Sequence, residues 1–333
     1  MRQAFQHRLH AAQASRGAAL ISAMITVTLV ASLASAALWQ QWRQVEIETA
    51  ERSRAQTAWL LTGALDFTRL VLREDKGPAD HLAEPWALGL QESKLSTFLT
   101  QDKQTREGDP EVYLSGQITD AQSRLNVLNL IDNDKLSPTV LASWTKLFNL
   151  LGLPLTELNL MSQQLLAAQR AQASNNPAST LNAPLMPQQT SQLLWLGLSA
   201  PTVKALLPFV TVLPVRTPLN VNTASAEALY ASLPALDMAS AQQFVRQRAN
   251  RAPLEDLAAI QKALGNAATE NTLSFATQYF EIRGRLRLDD LAQEDVMLVE
   301  RNGPQVQSLW RYRSTQNLGS VESDARLLQS AQP

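Results

Sequence analysis

Residues able to do chemistry are few in this chain, and their spacing is unpromising. His81 stands three positions before Glu84 in the run Asp80-His81-Leu82-Ala83-Glu84-Pro85-Trp86-Ala87, which could suggest a metal or an acid–base site. Such a site needs further ligands, and the other two histidines, His7 and His10, lie near the N-terminus. A solvated turn anchored by Trp86 is the preferred reading. Asp132 and Asp134 flank Asn133, but calcium wants about six to eight oxygens, and a turn ahead of a helix explains the pair more simply. Arg283, Arg285 and Arg287 share one face by the two-residue period of a strand. They read as an anion site or as a solvated sheet face, and the second is preferred. The chain has no cysteine, which excludes thiol catalysis, disulfides and thiolate zinc sites. It has no H-E-x-x-H, P-loop, G-x-G-x-x-G or G-x-S-x-G motif. No catalytic residue, metal ligand or cofactor is expected, and an enzyme is a poor reading.

The elements that carry these residues follow from composition and pattern. At 333 residues, 45% hydrophobic and 18% charged, the chain can bury a real core, in two globular lobes. A net charge of −1 gives no electrostatic reason to expect nucleic acid.

From Ala18 to Leu38 there is no charge, proline or glycine. As a helix these residues reach roughly 30 Å, the thickness of a bilayer's hydrocarbon core. Arg2, Arg8 and Arg16 precede the run and no acidic residue appears before Glu46, which predicts a cytoplasmic N-terminus with the remainder outside. A buried core helix and a cleaved signal peptide ending at Ala34-Ser35-Ala36 are the competing readings. The helical pattern continues past that point through Trp39, Trp42, Val45, Ala55, Ala58, Trp59, Thr62 and Leu65, until Gly77-Pro78 stops it. One helix of about 55 residues, some 80 Å long, is therefore predicted. Trp39 and Trp42 fall at its exit from lipid, where aromatic rings favour the interface.

Further along, Val112 to Ile118 alternates as a strand. Ser137-Pro138 starts a helix with Leu141, Trp144, Leu147 and Phe148 on one face, and Leu158 to Ala171 forms a second amphipathic run. Ser174 to Gln189 reads as a loop, and helical segments resume at Gln189–Leu196 and Thr202–Phe209. Tyr279 to Leu288 reads as a strand, and Val296–Arg301 and Val306–Arg313 form a hairpin around Asn302-Gly303. The tail from Ser314 to Pro333 is polar and expected to be disordered. The terminal strands should pair with Val112–Ile118, since neither group makes a sufficient sheet alone. The expected division is 1–17 leader, 18–38 membrane span, 39–130 and 275–313 sheet domain, 131–274 inserted helical domain, and 314–333 tail.

A long helix, apolar at its start and preceded by a short basic leader ending in Gly17, resembles type IV pilins and pseudopilins. The resemblance implies that a prepilin peptidase cuts after Gly17 and methylates the new amine of Ala18. Ser22 stands at the fifth mature position, where the superfamily usually has a glutamate. A carboxylate there is expensive in lipid unless paired. The superfamily pairs it with the terminal amine of the subunit above, and its omission is characteristic of the K-type minor pseudopilins of type II secretion. Two further stretches carry the same resemblance. Asp80…Glu84-Pro85-Trp86 matches an element that follows the long helix in those proteins. Gly116, Ile118, Asp120, Arg124, Asn126, Asn129 and Leu130 match G-x-I-x-D-x-x-G-R-x-N-x-N-N-L in order, with Ser123 where glycine is frequent. These asparagines read as turn and cap chemistry.

Leu219 to Leu229, Leu233 to Leu236, Ala241 to Arg248 and Pro253 to Leu257 resemble helix-hairpin-helix and SAM-like modules, some of which bind DNA phosphates. That function needs a glycine-rich hairpin. Here the hairpin is Ala235-Leu236-Asp237-Met238, and Arg246, Arg248 and Arg251 make a weak patch. A packing module, regular in K pseudopilins, is preferred. The implied fold is pilin-like α+β with a long transmembrane helix, an antiparallel sheet and an inserted all-α domain. The implied role is a single-pass inner-membrane protein at the tip of the periplasmic pseudopilus, initiating and capping assembly. Its implied partners are the minor pseudopilins I, J and H, the major pseudopilin G, the prepilin peptidase and secreted exoproteins. K pseudopilins can bind calcium through an acidic loop in the helical lobe; Asn159–Val212 has no aspartate or glutamate, so none is expected there. The alternatives are a membrane-anchored DNA-binding protein of a competence-like apparatus and a periplasmic enzyme on an uncleaved anchor.

Overall fold

The computed structural model describes residues 2–94, 112–173, 183–265, 269, 271–288 and 291–317. Helix α1 runs Arg2–Glu74. It starts well before the predicted membrane run, because residues 2–17 are rich in good helix formers and have no proline to stop it. Within it Gly17–Glu74 is long and apolar enough to cross a membrane. The chain divides into two compact units, Met1–Leu60 and Leu61–Pro333.

The second unit holds a five-stranded antiparallel sheet. Its strands are β1 (Leu90–Lys94), β2 (Val112–Asp120), β9 (Tyr279–Leu288), β10 (Leu291–Asn302) and β11 (Gln305–Asn317), in the order β1-β2-β9-β10-β11. The terminal strands thus join β2 as expected, with Gly116 opposite Gly284 and Ile118 opposite Ile282. Leu65 and Leu72 of α1 bury themselves against Ile118, Phe280, Ile282, Met297 and Val299. Gly284 lets helix and sheet approach: a Cβ there would stand 3.0 Å from Leu61 Cδ1 and 3.3 Å from Leu65 Cδ2. Strand β1 was not foreseen, because an exposed Leu-Gln-Glu-Ser-Lys edge carries no alternating apolar signal. Strand β10 begins at Leu291 rather than Val296. Its partner β11 reaches Asn317, so the first residues of the expected tail are paired strand; 318–333 lie outside the described residues.

Between β2 and β9 the chain builds a helical lobe with two cores. The short strands β3 (Leu125–Asn126), β4 (Ile131–Asp132) and β5 (Lys135–Leu136) lead into α2 (Pro138–Leu150) and α3 (Leu155–Ala173). A 3-10 turn at Thr190–Leu196, α4 (Ala200–Leu206) and β6 (Val210–Thr211) complete the first part, with β6 parallel to β3. Helix α4 ends before the predicted Phe209, where Pro208 cannot continue it. Of the predicted Ser174–Gln189 loop, 174–182 lie outside the described residues and 183–189 have no regular structure. The first core gathers Trp144, Leu147, Phe148, Met161, Leu165, Leu193 and Leu206, and it includes Leu125, Val127 and Leu130, ahead of the expected boundary at 131. The second part holds β7 (Leu219–Asn220), α5 (Ala226–Ser232), α6 (Met238–Arg248), α7 (Leu257–Leu264) and β8 (Leu273–Ser274). Val221, Leu229, Ile260 and Leu273 lie in its own core.

Candidate functional site

Two regions carry the functional reading: the anchor, and the polar seam beneath the helical lobe. On the anchor, Gly17, Ala18 and Ser22 are all exposed residues of α1. The Ser22 hydroxyl donates to the Ala19 carbonyl at 2.9 Å, so it presents neither charge nor unmet hydrogen bond to lipid. The Trp39 and Trp42 rings lie 5.9 Å apart and are exposed.

The seam forms where β2 ends. Asp120 caps the turn at Ala121–Ser123, accepting from the Gln122 amide at 2.7 Å. The same carboxylate accepts from Thr277 Oγ1 at 2.7 Å, from Asn220 Nδ2 at 2.9 Å and from the Thr223 hydroxyl. It is buried, and none of its described partners is a cation. Burial pushes its pKa up, while the Thr223, Thr277 and Asn220 side chains and the Gln122 amide pull the other way. Gln122 adds a second tie, donating to the Pro218 carbonyl at 3.1 Å and accepting from the Gln278 amide at 2.7 Å.

The asparagines of the matched motif do more than local cap chemistry. Asn126 Oδ1 does accept from the Leu128 amide at 3.1 Å, the expected local bond. It also accepts from the Leu213 amide, while Nδ2 donates to the Val215 carbonyl at 2.7 Å. Asn129 exchanges two bonds with the backbone of Thr217, at 2.7 and 3.0 Å. The long-range half was invisible in the sequence, since nothing local marks residues 213–217 as neighbours. Arg124 pairs with Glu281 at 2.9 Å. Burial raises the Glu281 pKa, but Arg124 and then Arg283 outweigh it and hold the carboxyl below its usual range.

The turn around His81 and Trp86 is a correction to the expected solvated turn: Asp80 and Glu84 are only 2% and 8% exposed. Asp75, Asp80 and Glu84 offer carboxylate oxygens within 4.8 Å of one another. Arg301 is already among them, at 2.6 Å from Asp75 and 2.5 Å from Asp80. Glu84 accepts from the His81 amide and from Trp86 Nε1, both at 2.8 Å. A guanidinium and two N–H donors therefore take the place a metal would need. Burial pushes both Asp80 and Glu84 pKa values up.

Two of the three predicted β9 arginines are taken up by acidic neighbours. Arg285 is half-buried and makes no ion pair among the described residues, so the three do not form one free anion site. Arg283 pairs with Glu294 at 3.1 Å and Glu281 at 3.4 Å, and Arg287 pairs with Glu92 at 2.7 Å while lying over the Tyr113 ring. In the hairpin module, Asp237 caps α6 by accepting from the Ser240 amide at 2.7 Å. Arg248 donates to the Val221 and Ala224 carbonyls, both at 2.7 Å, and burial lowers its pKa to about 10. It is spent on the module's own backbone, leaving Arg246 and Arg251 as a thin patch. Asp132 pairs with Arg216. One polar centre escaped the sequence reading altogether: Asp295, fully buried on β10, with Arg311 and Arg313 of β11 upon it. Its only sequence signal is an aspartate inside a strand followed by an alternating arginine pair.

Comparisons with known proteins agree with this architecture. Two family models, both described as type II secretion system (T2SS), protein K, match residues 123–215 and 219–282. Type II secretion system protein K of Pseudomonas aeruginosa is 26% identical over 311 residues, covering 86% of this chain and 88% of that protein. A chain in the crystal structure of the GspK-GspI-GspJ complex from the enterotoxigenic Escherichia coli Type 2 Secretion System has the same fold. It matches with a TM-score of 0.59 at 20% identity, over 80% of this chain and 98% of that one. That chain shares with this one the antiparallel sheet with a helical lobe inserted between its neighbouring strands, and the matches to protein K by sequence support a minor pseudopilin of type II secretion. Both parts of the lobe and the first residues of the strand that follows match the protein K models. The chain is thus similar to type II secretion system protein K over its helical lobe and, at lower identity, over most of its length.

Proposed function

We propose that this minor pseudopilin sits at the tip of a periplasmic pseudopilus, where it initiates assembly and caps the fibre, in a structural rather than catalytic role. The observation that carries this is the helical lobe, a body with two cores of its own inserted between the paired strands β2 and β9. Its bulk would obstruct a further subunit stacked above. Ser22 supports the same position. It has no carboxylate to neutralise an amine above, whereas the amine of a mature Ala18 can accept a carboxylate from below. Because the solved relative is a GspK-GspI-GspJ complex, minor pseudopilins I and J are the first partners inferred, with H, the major pseudopilin G and secreted exoproteins beyond them. The charge bias around the apolar run supports a single-pass inner-membrane protein, its N-terminus cytoplasmic and its C-terminal unit periplasmic.

Two measurements test this. Mass spectrometry of the mature protein should find a methylated Ala18 at the N-terminus; a start at Ala37 would show ordinary signal cleavage and remove the pseudopilin processing. Cysteines placed on the lobe of this cysteine-free chain should crosslink to I and J near its base. A ladder of major pseudopilin crosslinked to the lobe's outer face would put the protein inside the fibre and end the capping reading. Ser22→Glu should change assembly little, since no amine above would reward the carboxylate.

A further inference from the structure

The helical lobe joins the sheet at two chain crossings, one leaving β2 after Asp120 and one returning to β9 at Gln278–Tyr279. The apolar contact at this joint is small. Ala121, Leu213, Tyr279 and Leu298 form its buried cluster, against eighteen buried residues in the first helical core. Hydrophobic burial therefore holds the lobe together far better than it holds the lobe to the sheet. What fixes one orientation must be directional, and the directional groups converge on one carboxylate.

The geometry points to Asp120 as a latch that holds the helical lobe in a single orientation on the sheet, so that removing it turns the seam into a hinge. Its two oxygens take four donors from three separate places. These are the Gln122 amide just past β2, Asn220 and Thr223 at the foot of the hairpin module, and Thr277 just before β9. Asn220 Nδ2 also donates to the Asp80 carbonyl at 3.0 Å, and the Thr277 amide donates to Asp80 Oδ2 at 2.7 Å. Arg301 reaches the same loop through Asp80 and Asp75. Both crossings and the loop after α1 thus meet at one polar hub that a rotation of the lobe would have to break. A carboxylate suits this place because it accepts only, and all its neighbours here donate. Asp120 is a positioning residue, and nothing in this role requires the tip assignment.

The absence of cysteine makes the test clean. Cysteines introduced at exposed Lys204 in the lobe and Gln307 on β11 carry spin labels in the full-length protein, in detergent. The unaltered latch should yield one narrow distance distribution by pulsed electron paramagnetic resonance. Asp120→Ala should broaden it at least twofold, and Thr223→Val should broaden it less. Hydrogen exchange should meanwhile show Ile282 of the sheet and Phe148 of the lobe as protected as before. A distribution that stays narrow in both variants overturns the latch. So does a loss of protection throughout both sheet and lobe in Thr223→Val, which would make the hub a folding determinant only. Should Asp120→Ala fail to fold, the Thr223→Val distribution decides.

Discussion

Asp120 and Asp295 are 2% and 0% exposed, yet the protein treats their charges in opposite ways. Asp295 sits within the sheet, directly opposite Arg313, and takes both Arg313 and Arg311. Burial alone would raise its pKa, but the two guanidiniums outweigh it and hold the carboxyl below its usual range. Asp120 sits at the end of a strand beneath the lobe, has neutral donors only, and is pushed up. The difference follows from what each neighbourhood can supply. Antiparallel register brings a long cationic side chain beside an acid while its far end still reaches water. At a joint between two bodies, short amide and hydroxyl donors fill the space without importing a second buried charge, which would cost desolvation of its own.

Truncation should have the largest effect, and at the seam. Asp120→Ala removes the shared acceptor of four donors. The Gln122 amide and the Thr277 hydroxyl are left without theirs, while Asn220 and Thr223 each keep a backbone carbonyl, so a loss of about 3 kcal/mol is expected in urea unfolding. A loss below about 1 kcal/mol would show that the donors find new partners, and would break the contrast between the two sites. Replacement by asparagine sharpens it further. Asp295→Asn sets an amide against two guanidiniums and should cost about 2 kcal/mol. Asp120→Asn keeps one acceptor among neutral donors and should cost about 1 kcal/mol. An equal cost at both positions would mean that charge is not what separates them.

The pH dependence is the smallest effect and runs in opposite directions. A depressed pKa means that Asp295 contributes stability above the ordinary aspartate value of 3.8, lost as pH falls through its lower folded value. A raised pKa means that the Asp120 contribution is fullest below 3.8 and is lost as pH rises through its higher folded value. Melting temperature against pH should therefore flatten on the acid side of 3.8 in Asp295→Asn and above it in Asp120→Asn. Identical profiles in the two variants would contradict the assignment.

Much of the fold was readable because its signals are local. The uncharged run from Ala18 to Leu38, the Ser137-Pro138 helix start and the Asn302-Gly303 turn each announce themselves within a few residues. The order of strand, helical block and terminal strands then implied an insertion, since strands too few to stand alone must pair. Ser137 shows the limit of such reading: it occupies the N-cap of α2, but its hydroxyl faces Thr139 Oγ1 and caps no backbone amide. Strand β1 was silent because an exposed edge needs no apolar alternation.

By itself, then, the sequence determined the anchor, the inserted lobe and the roster of polar residues in the matched motif. Tertiary structure decided whom those residues meet. Asp120 finds Asn220 and Thr277 at separations of 100 and 157 residues, and Arg301 finds Asp80 at 221. Periodicity reports which side of an element faces inward, not which other element faces it. A buried carboxylate's protonation and role depend on that second fact, because cations and neutral donors act on it only across a few ångströms.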